Sequence, residues 1–109
     1  RRSRSSPKTR GWSASKAGVV ALTASLASLC EGDRIAVTCI CPDWVLTGAV
    51  ERTVASMTEE ERRQVPGLVP VEEIAGLIVR LVTDESLAGR VMVRWADEEG
   101  ERLLPLGRA

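Results

Sequence analysis

The run Ile-Ala-Val-Thr-Cys-Ile-Cys at residues 35–41, ended by Pro42, constrains the fold more than any other feature of the sequence. Both sets of alternating positions in this run are mostly apolar. A strand with one face in water alternates apolar and polar residues, whereas a strand covered on both faces does not. The run therefore predicts a central strand of a parallel sheet, covered on both sides.

A helix is predicted before this strand, at residues 13–29. The segment contains no proline and is rich in alanine and leucine. Its small and apolar residues are spread widely around the helix, so we expect it to be buried on most sides. It would pack against the sheet and against a second helix, which another subunit could supply. Glu31-Gly32-Asp33 is expected to end it, with the glycine near the C-terminal cap.

Two more helices are predicted after the strand. Residues 42–47 are expected to form a loop. Thr58 followed by Glu61 is typical of a capping box and predicts a short helix that runs to about Gln64. Pro70 opens an amphipathic helix. The apolar face predicted for that helix consists of Val71, Ile74, Ala75, Ile78, Leu81 and Val82.

The chain is predicted to end its regular structure with a turn at residues 84–89 and a strand at 90–95 nearer the sheet edge. The order helix, strand, helix, strand is typical of α/β proteins with parallel strands. Two strands are too few for a sheet of their own. We therefore expect the C-terminal half of a Rossmann-like, doubly wound parallel sheet. The sequence also starts with Arg1, so we expect a trimmed chain or a fragment of a longer protein.

The charge is unevenly distributed. Residues 1–10 contain five basic residues, while all 15 acidic residues follow them. We predict a disordered basic segment at 1–10, a folded unit at 11–96 and a flexible tail at 97–109. The alternative for residues 1–10 is a nucleic-acid-binding arm, but no aromatic residue accompanies the charges, so nucleic acid is not the expected partner.

The three cysteines, Cys30, Cys39 and Cys41, are predicted to be free buried thiols of a cytoplasmic protein. Cys39 and Cys41 would point the same way from a strand. The chain has no histidine to complete a zinc site, and we predict no metal site; a metal site or a disulfide framework remains the alternative. No apolar run approaches the roughly 20 residues of a membrane span, so no membrane association is expected.

Three segments together resemble the short-chain dehydrogenase/reductase family. Residues 12–18, Trp-Ser-Ala-Ser-Lys-Ala-Gly, resemble its active-site helix with the motif Tyr-x-x-x-Lys. Residues 35–47 resemble the strand and loop that follow that helix, and Val-Pro-Val-Glu-Glu-Ile-Ala with Leu-Ala-Gly-Arg-Val-Met-Val resembles the last helix and strand. The resemblance covers residues 11 to about 96. It implies hydride transfer between NAD or NADP and a small alcohol or carbonyl substrate.

The resemblance also implies site residues. Lys16 matches the motif lysine, which lowers the tyrosine pKa and binds the nicotinamide ribose. Trp12 occupies the tyrosine position, and an indole N–H is a donor that does not exchange protons usefully. The loop that holds the nicotinamide carboxamide is matched by Pro42, Val45 and Thr47. Its usual glycine is replaced by Asp43, which puts close approach of the backbone to the cofactor in doubt.

The cofactor half of the family pattern has no counterpart here. No two glycines are two residues apart, so the glycine-rich phosphate turn is missing. We therefore expect a fragment or a degenerate, inactive member of the family. The alternative is a non-catalytic module that forms homo-oligomers through helix 13–29. Trp44 either lines the substrate or cofactor site or serves packing, and residues 48–70 correspond to the variable lid.

Overall fold

The computed structural model describes the backbone of residues 7–65 and 67–105, and side-chain environments from residue 14 onward. The fold is α/β, as predicted. It comprises five α-helices, five short strands and a 3-10 turn at Glu85–Leu87 within the described residues. The helices are α1 Pro7–Ser25, α2 Leu29–Asp33, α3 Gly48–Ala55, α4 Glu59–Arg63 and α5 Val71–Thr83. The strands are β1 Cys39–Pro42, β2 Val45–Leu46, β3 Val69–Pro70, β4 Val91–Arg94 and β5 Arg102–Leu103.

The strands form two small sheets. In the first, the order is β1-β4-β5, with β1 and β4 parallel and β5 antiparallel to β4. In the second, β2 pairs in parallel with β3. The predicted strand at residues 35–41 is shorter than expected, because regular pairing begins at Cys39. The two sheets contain parallel pairs, but the described strands do not establish a doubly wound sheet.

The predicted positions of the two main strands within the sheet are reversed. β4, expected nearer an edge, lies between β1 and β5, and all four of its residues are buried. β1, expected at the centre, pairs with β4 alone among the described strands and is half-buried. The polar positions of β4 misled the prediction, because Arg94 is buried against the carboxylate of Glu73 instead of lying in water.

α1 differs from the predicted helix 13–29 at both ends. It begins at Pro7, and it ends at Ser25, where a turn leads into the separate helix α2. The hydroxyls of Thr23 and Ser25 each donate to a carbonyl one turn earlier, at 2.8 Å, and such bonds compete with regular helix geometry. The predicted glycine cap is wrong too. Arg34 takes the left-handed conformation after α2, and it is the one described non-glycine residue with positive φ.

α1 is also far more exposed than its composition suggested. Thr23 is its one buried residue among positions 14–25. Val19 and Leu22 are 50% and 57% exposed. The prediction that this helix is buried on most sides is therefore wrong for the described chain, and its apolar side chains face outward.

The core lies around α5 and β4. Its buried cluster consists of Val69, Ile74, Leu77, Leu81, Leu87 and Met92. The amphipathic helix predicted after Pro70 is confirmed, but it is rotated from the predicted orientation. Its buried residues Ile74, Leu77 and Leu81 follow an i, i+3, i+7 pattern, whereas the predicted core residues Val71 and Ile78 are more than 40% exposed.

The segment between β1 and α5 contains more regular structure than predicted. The capping box is confirmed, because Thr58 Oγ1 accepts from Glu61 N at 3.2 Å and Glu61 Oε1 accepts from Thr58 N at 3.2 Å. The helix α3 was not predicted. The expected loop 42–47 contains β2, whose pairing with β3 joins it to the start of α5.

Both terminal segments differ in part from the expected disorder. Residues 7–10 belong to α1, while residues 1–6 lie outside the described part of the chain. In the predicted tail 97–109, Arg102–Leu103 forms β5, and Leu104 N donates to Val91 O at 2.9 Å. The tail is therefore the third strand of the main sheet over part of its length, and residues 106–109 lie outside the description.

Candidate functional site

Trp12 and Lys16 both lie on α1. They are four residues apart on a continuous helix, so their backbone positions lie on one face. Lys16 is on an exposed part of the helix. The side chain of Trp12 falls outside the described environments, so the structure places this residue on α1 and no more.

A close approach between α1 and β4 sets the direction of the helix. Gly89, with φ of 76°, lies against the segment that ends α1, and a Cβ placed on it would be 2.9 Å from the Ala27 Cα. Gly89 N also donates to Val37 O at 2.7 Å, so the start of β1 meets the same point. The C-terminal end of α1 therefore lies at the amino ends of β1 and β4.

α1 contacts both β1 and β4. Lys16 precedes Ser25 by nine residues, or about 14 Å at the helical rise. A four-residue strand spans about 13 Å. A helix that ran alongside the strands over this length would bring Lys16 toward their carboxyl ends. Ligands of open α/β sheets bind at such ends.

The loop that leaves β1 at this same edge begins with Pro42 and Asp43. Asp43 N donates to Arg94 O at 2.9 Å, which extends the pairing of β1 with β4 by one residue. The carboxylate accepts two backbone N–H groups, Trp44 N on Oδ1 at 3.0 Å and Ala96 N on Oδ2 at 3.2 Å. Asp43 has no positive φ. An aspartate therefore fits this position without the backbone strain that would require the family's glycine.

Val45 and Thr47 lie further along the loop. Val45 is half-buried in β2 opposite Val69, and Val69 N donates to Trp44 O at 2.8 Å. Thr47 is the N-cap of α3, and its Oγ1 accepts from Val50 N at 3.2 Å. These bonds fix the loop on both sides, between β1 and the second sheet. Hydrogen bonds thus hold the loop in place, and the side chain of Trp44, which is 37% exposed, lies on its surface.

The predicted site residues thus fall into two groups, one in a loop and one on α1. Pro42, Asp43, Val45 and Thr47 are held in a single loop. Lys16 lies apart from them in sequence, at an exposed position of α1. The arrangement offers an ammonium donor, a threonine hydroxyl and a fixed backbone, which are groups suited to binding a hydroxylated or amide-bearing ligand.

Residues beyond the predicted set also shape this loop. Arg94, the last residue of β4, supplies the carbonyl and Ala96, two residues later, supplies the N–H that hold Asp43. Arg94 is itself fixed by Nη2 bonds to both carboxylate oxygens of Glu73 at 3.2 Å and by an Nη1 bond to Glu98 O at 2.8 Å. No local pattern in the sequence connects positions more than fifty residues apart, so these partners could not be found from it.

The cysteines lie near the loop. Cys39 and Cys41 point the same way from β1, as predicted, with their Sγ atoms 3.9 Å apart. Burial raises the pKa of Cys41 to about 11, and the neighbouring Cys39 adds to the rise. Both are free thiols, as is Cys30, and all three are half-buried. In residues 7–65 and 67–105, no three acidic, cysteine or histidine side chains are grouped as metal ligands.

The helices within the described part of the chain are all too short or too polar to cross a membrane.

Comparison with known proteins gives one family. The family model described as enoyl-(acyl carrier protein) reductase matches residues 1–92, which include the basic segment 1–10, α1, the loop after β1, α5 and the start of β4. No curated protein and no solved structure matches the chain. The match covers most of the chain and contains the helix and the loop on which the family resemblance rests. The chain belongs to the short-chain dehydrogenase/reductase family.

Proposed function

We propose that this chain carries the lysine and the nicotinamide loop of an NAD(P)-dependent dehydrogenase/reductase site, in a fragment or degenerate member of the family. The intact parent transfers hydride between NAD or NADP and a small alcohol or carbonyl compound. The observation that supports this most is the loop 42–47 at the carboxyl end of β1, which backbone groups of Arg94 and Ala96 hold in place, in a chain whose α1 carries Lys16. Family membership supplies the chemistry.

The residues present fit one end of the cofactor. A lysine ammonium suits the ribose hydroxyls, and a loop with fixed backbone groups suits the carboxamide. The carboxylate of Asp43 would oppose a phosphate, but its oxygens accept N–H groups of Trp44 and Ala96 within the protein. The chain has no glycine-rich turn for the pyrophosphate. The fit is thus to the nicotinamide riboside.

In this proposal Lys16 would donate to the ribose hydroxyls, and Val45 and Thr47 would orient the carboxamide. When bound, the cofactor supplies or accepts the hydride. Proton transfer to the substrate oxygen needs a group that ionises, and the indole at Trp12 does not provide one. The chain contains no tyrosine at all. We therefore propose that these residues can bind and orient the nicotinamide end but cannot complete the reaction.

Binding of NADH and of nicotinamide mononucleotide tests this proposal. We expect both ligands to bind weakly, with a Kd on the order of 1 mM, because few contacts are available. Saturation-transfer NMR measures this binding. Lys16→Met should weaken it at least about tenfold, since it removes a charge-assisted hydrogen bond. Lys8→Met removes the other lysine and should leave binding unchanged. The proposed site would be refuted if the Lys16 and Lys8 variants bound equally well, or if the unmutated chain did not bind either ligand.

A second test concerns Trp12. Restoring the phenol with Trp12→Tyr supplies an ionisable group but no site for the pyrophosphate. We therefore expect no NAD(P)H oxidation above background with a panel of ketones, aldehydes and enoyl thioesters, measured by absorbance. Turnover by this variant would show that the chain binds the dinucleotide without a glycine-rich turn.

A different function is favoured by the exposed side chains of α1. Val19 and Leu22 are apolar and at least half exposed, which suits a non-catalytic module that forms homo-oligomers through this helix. Sedimentation velocity of Leu22→Glu tests this alternative. We expect the variant to be monomeric where the parent chain associates. Val82→Glu, at a more exposed position of α5, is the matched control and should not change the association.

We also propose a cytoplasmic location. The support is chemical: Cys30, Cys39 and Cys41 are free thiols, and such thiols persist in a reducing compartment.

A further inference from the structure

The pair of thiols on β1 is not explained by the proposed function. Cys39 and Cys41 lie on the same side of the strand with their Sγ atoms 3.9 Å apart. Ile40 between them points the other way and packs on the core with Met92. The two thiols therefore share the opposite face with Val91 and Val93, their partners in the β1–β4 register.

We propose that Cys39 and Cys41 form a two-thiol site for a soft cation of low coordination number, the cuprous ion being the chemical class that fits best. A metal–thiolate bond is about 2.3 Å long. An ion bonded to both sulfurs therefore spans separations up to about 4.6 Å, and the observed 3.9 Å falls within that reach. A linear arrangement would place the sulfurs about 0.7 Å further apart than they are, a change that rotation of the two side chains can supply without movement of the strand.

The surroundings favour a cation that accepts only two ligands. Zinc requires four ligands, and the described residues bring no third cysteine, histidine or carboxylate to this pair. Soft thiolate ligands select cuprous ions, zinc and iron–sulfur clusters, and of these the cuprous ion is the one that two ligands can satisfy. The buried valines beside the thiols form an apolar wall, and both cysteines remain half-buried and thus partly open to solvent.

A direct disulfide fits the same pair less well. Alternate residues of a strand are about 6.6 Å apart, close to the upper limit for Cα atoms joined by a disulfide. The sulfurs would also have to approach from 3.9 Å to about 2 Å. Binding of the ion needs no oxidant. Two thiols and one cuprous ion give a dithiolate complex and two protons, and no electron is transferred.

The test uses the full 109-residue chain, reduced and kept free of oxygen. Titration with cuprous ion against the chromophoric chelator bicinchoninate should show one ion per chain. Cys39→Ser and Cys41→Ser should each weaken binding by a factor on the order of a hundred, because a single thiolate lacks the second, intramolecular ligand. Cys30→Ser, the matched control, should bind as the parent does. Equal affinities in all three variants would overturn the proposal.

A second measurement on the unmutated chain covers the event that a variant fails to fold. Phenylarsine oxide reacts with two neighbouring thiols to give a cyclic dithioarsenite and one water. The chain is treated with this probe, then alkylated with iodoacetamide and digested with trypsin. Cys39 and Cys41 lie on the peptide 35–52, whereas Cys30 lies on 17–34. Protection of peptide 35–52 alone supports the site, and alkylation of both its cysteines in the presence of the probe refutes it.

Discussion

The region around α5 and β4 and the region around α1 and β1 differ in how completely they are packed. The first contains every member of the buried apolar cluster, and all four residues of β4 are buried. The second contains a long helix that leaves Leu22 57% exposed and a strand that is half-buried. Similar apolar contents thus give different burial. The apolar side chains of the α5–β4 region bury one another, whereas α1 leaves apolar side chains exposed.

Matched leucines give the largest test of this difference. Leu81 is 5% exposed on α5 and Leu22 is 57% exposed on α1. Leu81→Ala should lower the free energy of unfolding by about 3 kcal/mol, because it leaves a cavity in the core. Leu22→Ala should change it by less than about 0.5 kcal/mol. Urea titrations followed by circular dichroism, with trimethylamine N-oxide present to keep the chains folded, measure both. Equal losses would mean that α1 is as well packed as α5.

The contact between the two regions depends on Gly89. Its φ of 76° disfavours any residue with a Cβ, and such an atom would approach the backbone of Ala27. Gly89→Ala should therefore lower the free energy of unfolding by about 2 to 3 kcal/mol, because it strains the backbone and pushes α1 away from β4. Gly76→Ala is the control, since nothing lies within 4 Å of a Cβ there and α5 is helical, so it should be neutral or stabilising. The same urea titrations apply, and a neutral Gly89→Ala would show that α1 is not held at this point.

Arg94 and Arg102 form ion pairs that differ in how deeply the arginine is buried. The Arg94 side chain is 11% exposed and binds Glu73, while that of Arg102 is 59% exposed and binds Glu98 at 3.4 Å. Arg94→Met should cost about 2 kcal/mol, because Glu73 and the Glu98 carbonyl lose their donors. Arg102→Met should cost less than about 0.5 kcal/mol. Because Arg94 O and Ala96 N hold Asp43, amide exchange at residues 43–47 should also accelerate in Arg94→Met alone. Unchanged amide exchange at these residues would show that the Arg94–Glu73 ion pair does not stabilise the loop.

The sequence allowed prediction of elements whose signals are local. The capping box at Thr58 and the helix after Pro70 follow from residues a few positions apart, and both are present. The orientation of α5 did not follow, because two adjacent apolar stripes compete and only the position of β4 decides between them. The positions of β1 and β4 in the sheet were also predicted wrongly. Arg94 suggested a strand near the edge, and the sequence does not show that its guanidinium pairs with the distant Glu73.

The candidate site divides in the same way. Lys16 and the loop residues could be proposed from the sequence because the family motif is contiguous within each element. The role of Asp43 was not, because its carboxylate is bound by Ala96, and only the fold brings these two residues together. Departures from a motif are thus the positions at which sequence reasoning is weakest, since the compensating contact comes from elsewhere in the chain.

The smallest expected effect concerns the end of α5. The hydroxyl and the backbone N–H of Ser86 both donate to Asp84 Oδ1, at 2.6 Å and 3.0 Å, and these bonds lower the pKa of this carboxyl. A carboxyl with a depressed pKa in the folded state stabilises the fold above its unfolded value, and that contribution is lost as the pH falls through the folded value. The difference in urea midpoint between the parent chain and Asp84→Asn should therefore be constant near neutrality and shrink below about pH 4. Because the carboxylate is solvent-exposed, this difference should stay below that of any buried substitution above. A difference in urea midpoint that grows on acidification would show instead that the neutral carboxylic acid of Asp84 stabilises the fold more than the carboxylate does.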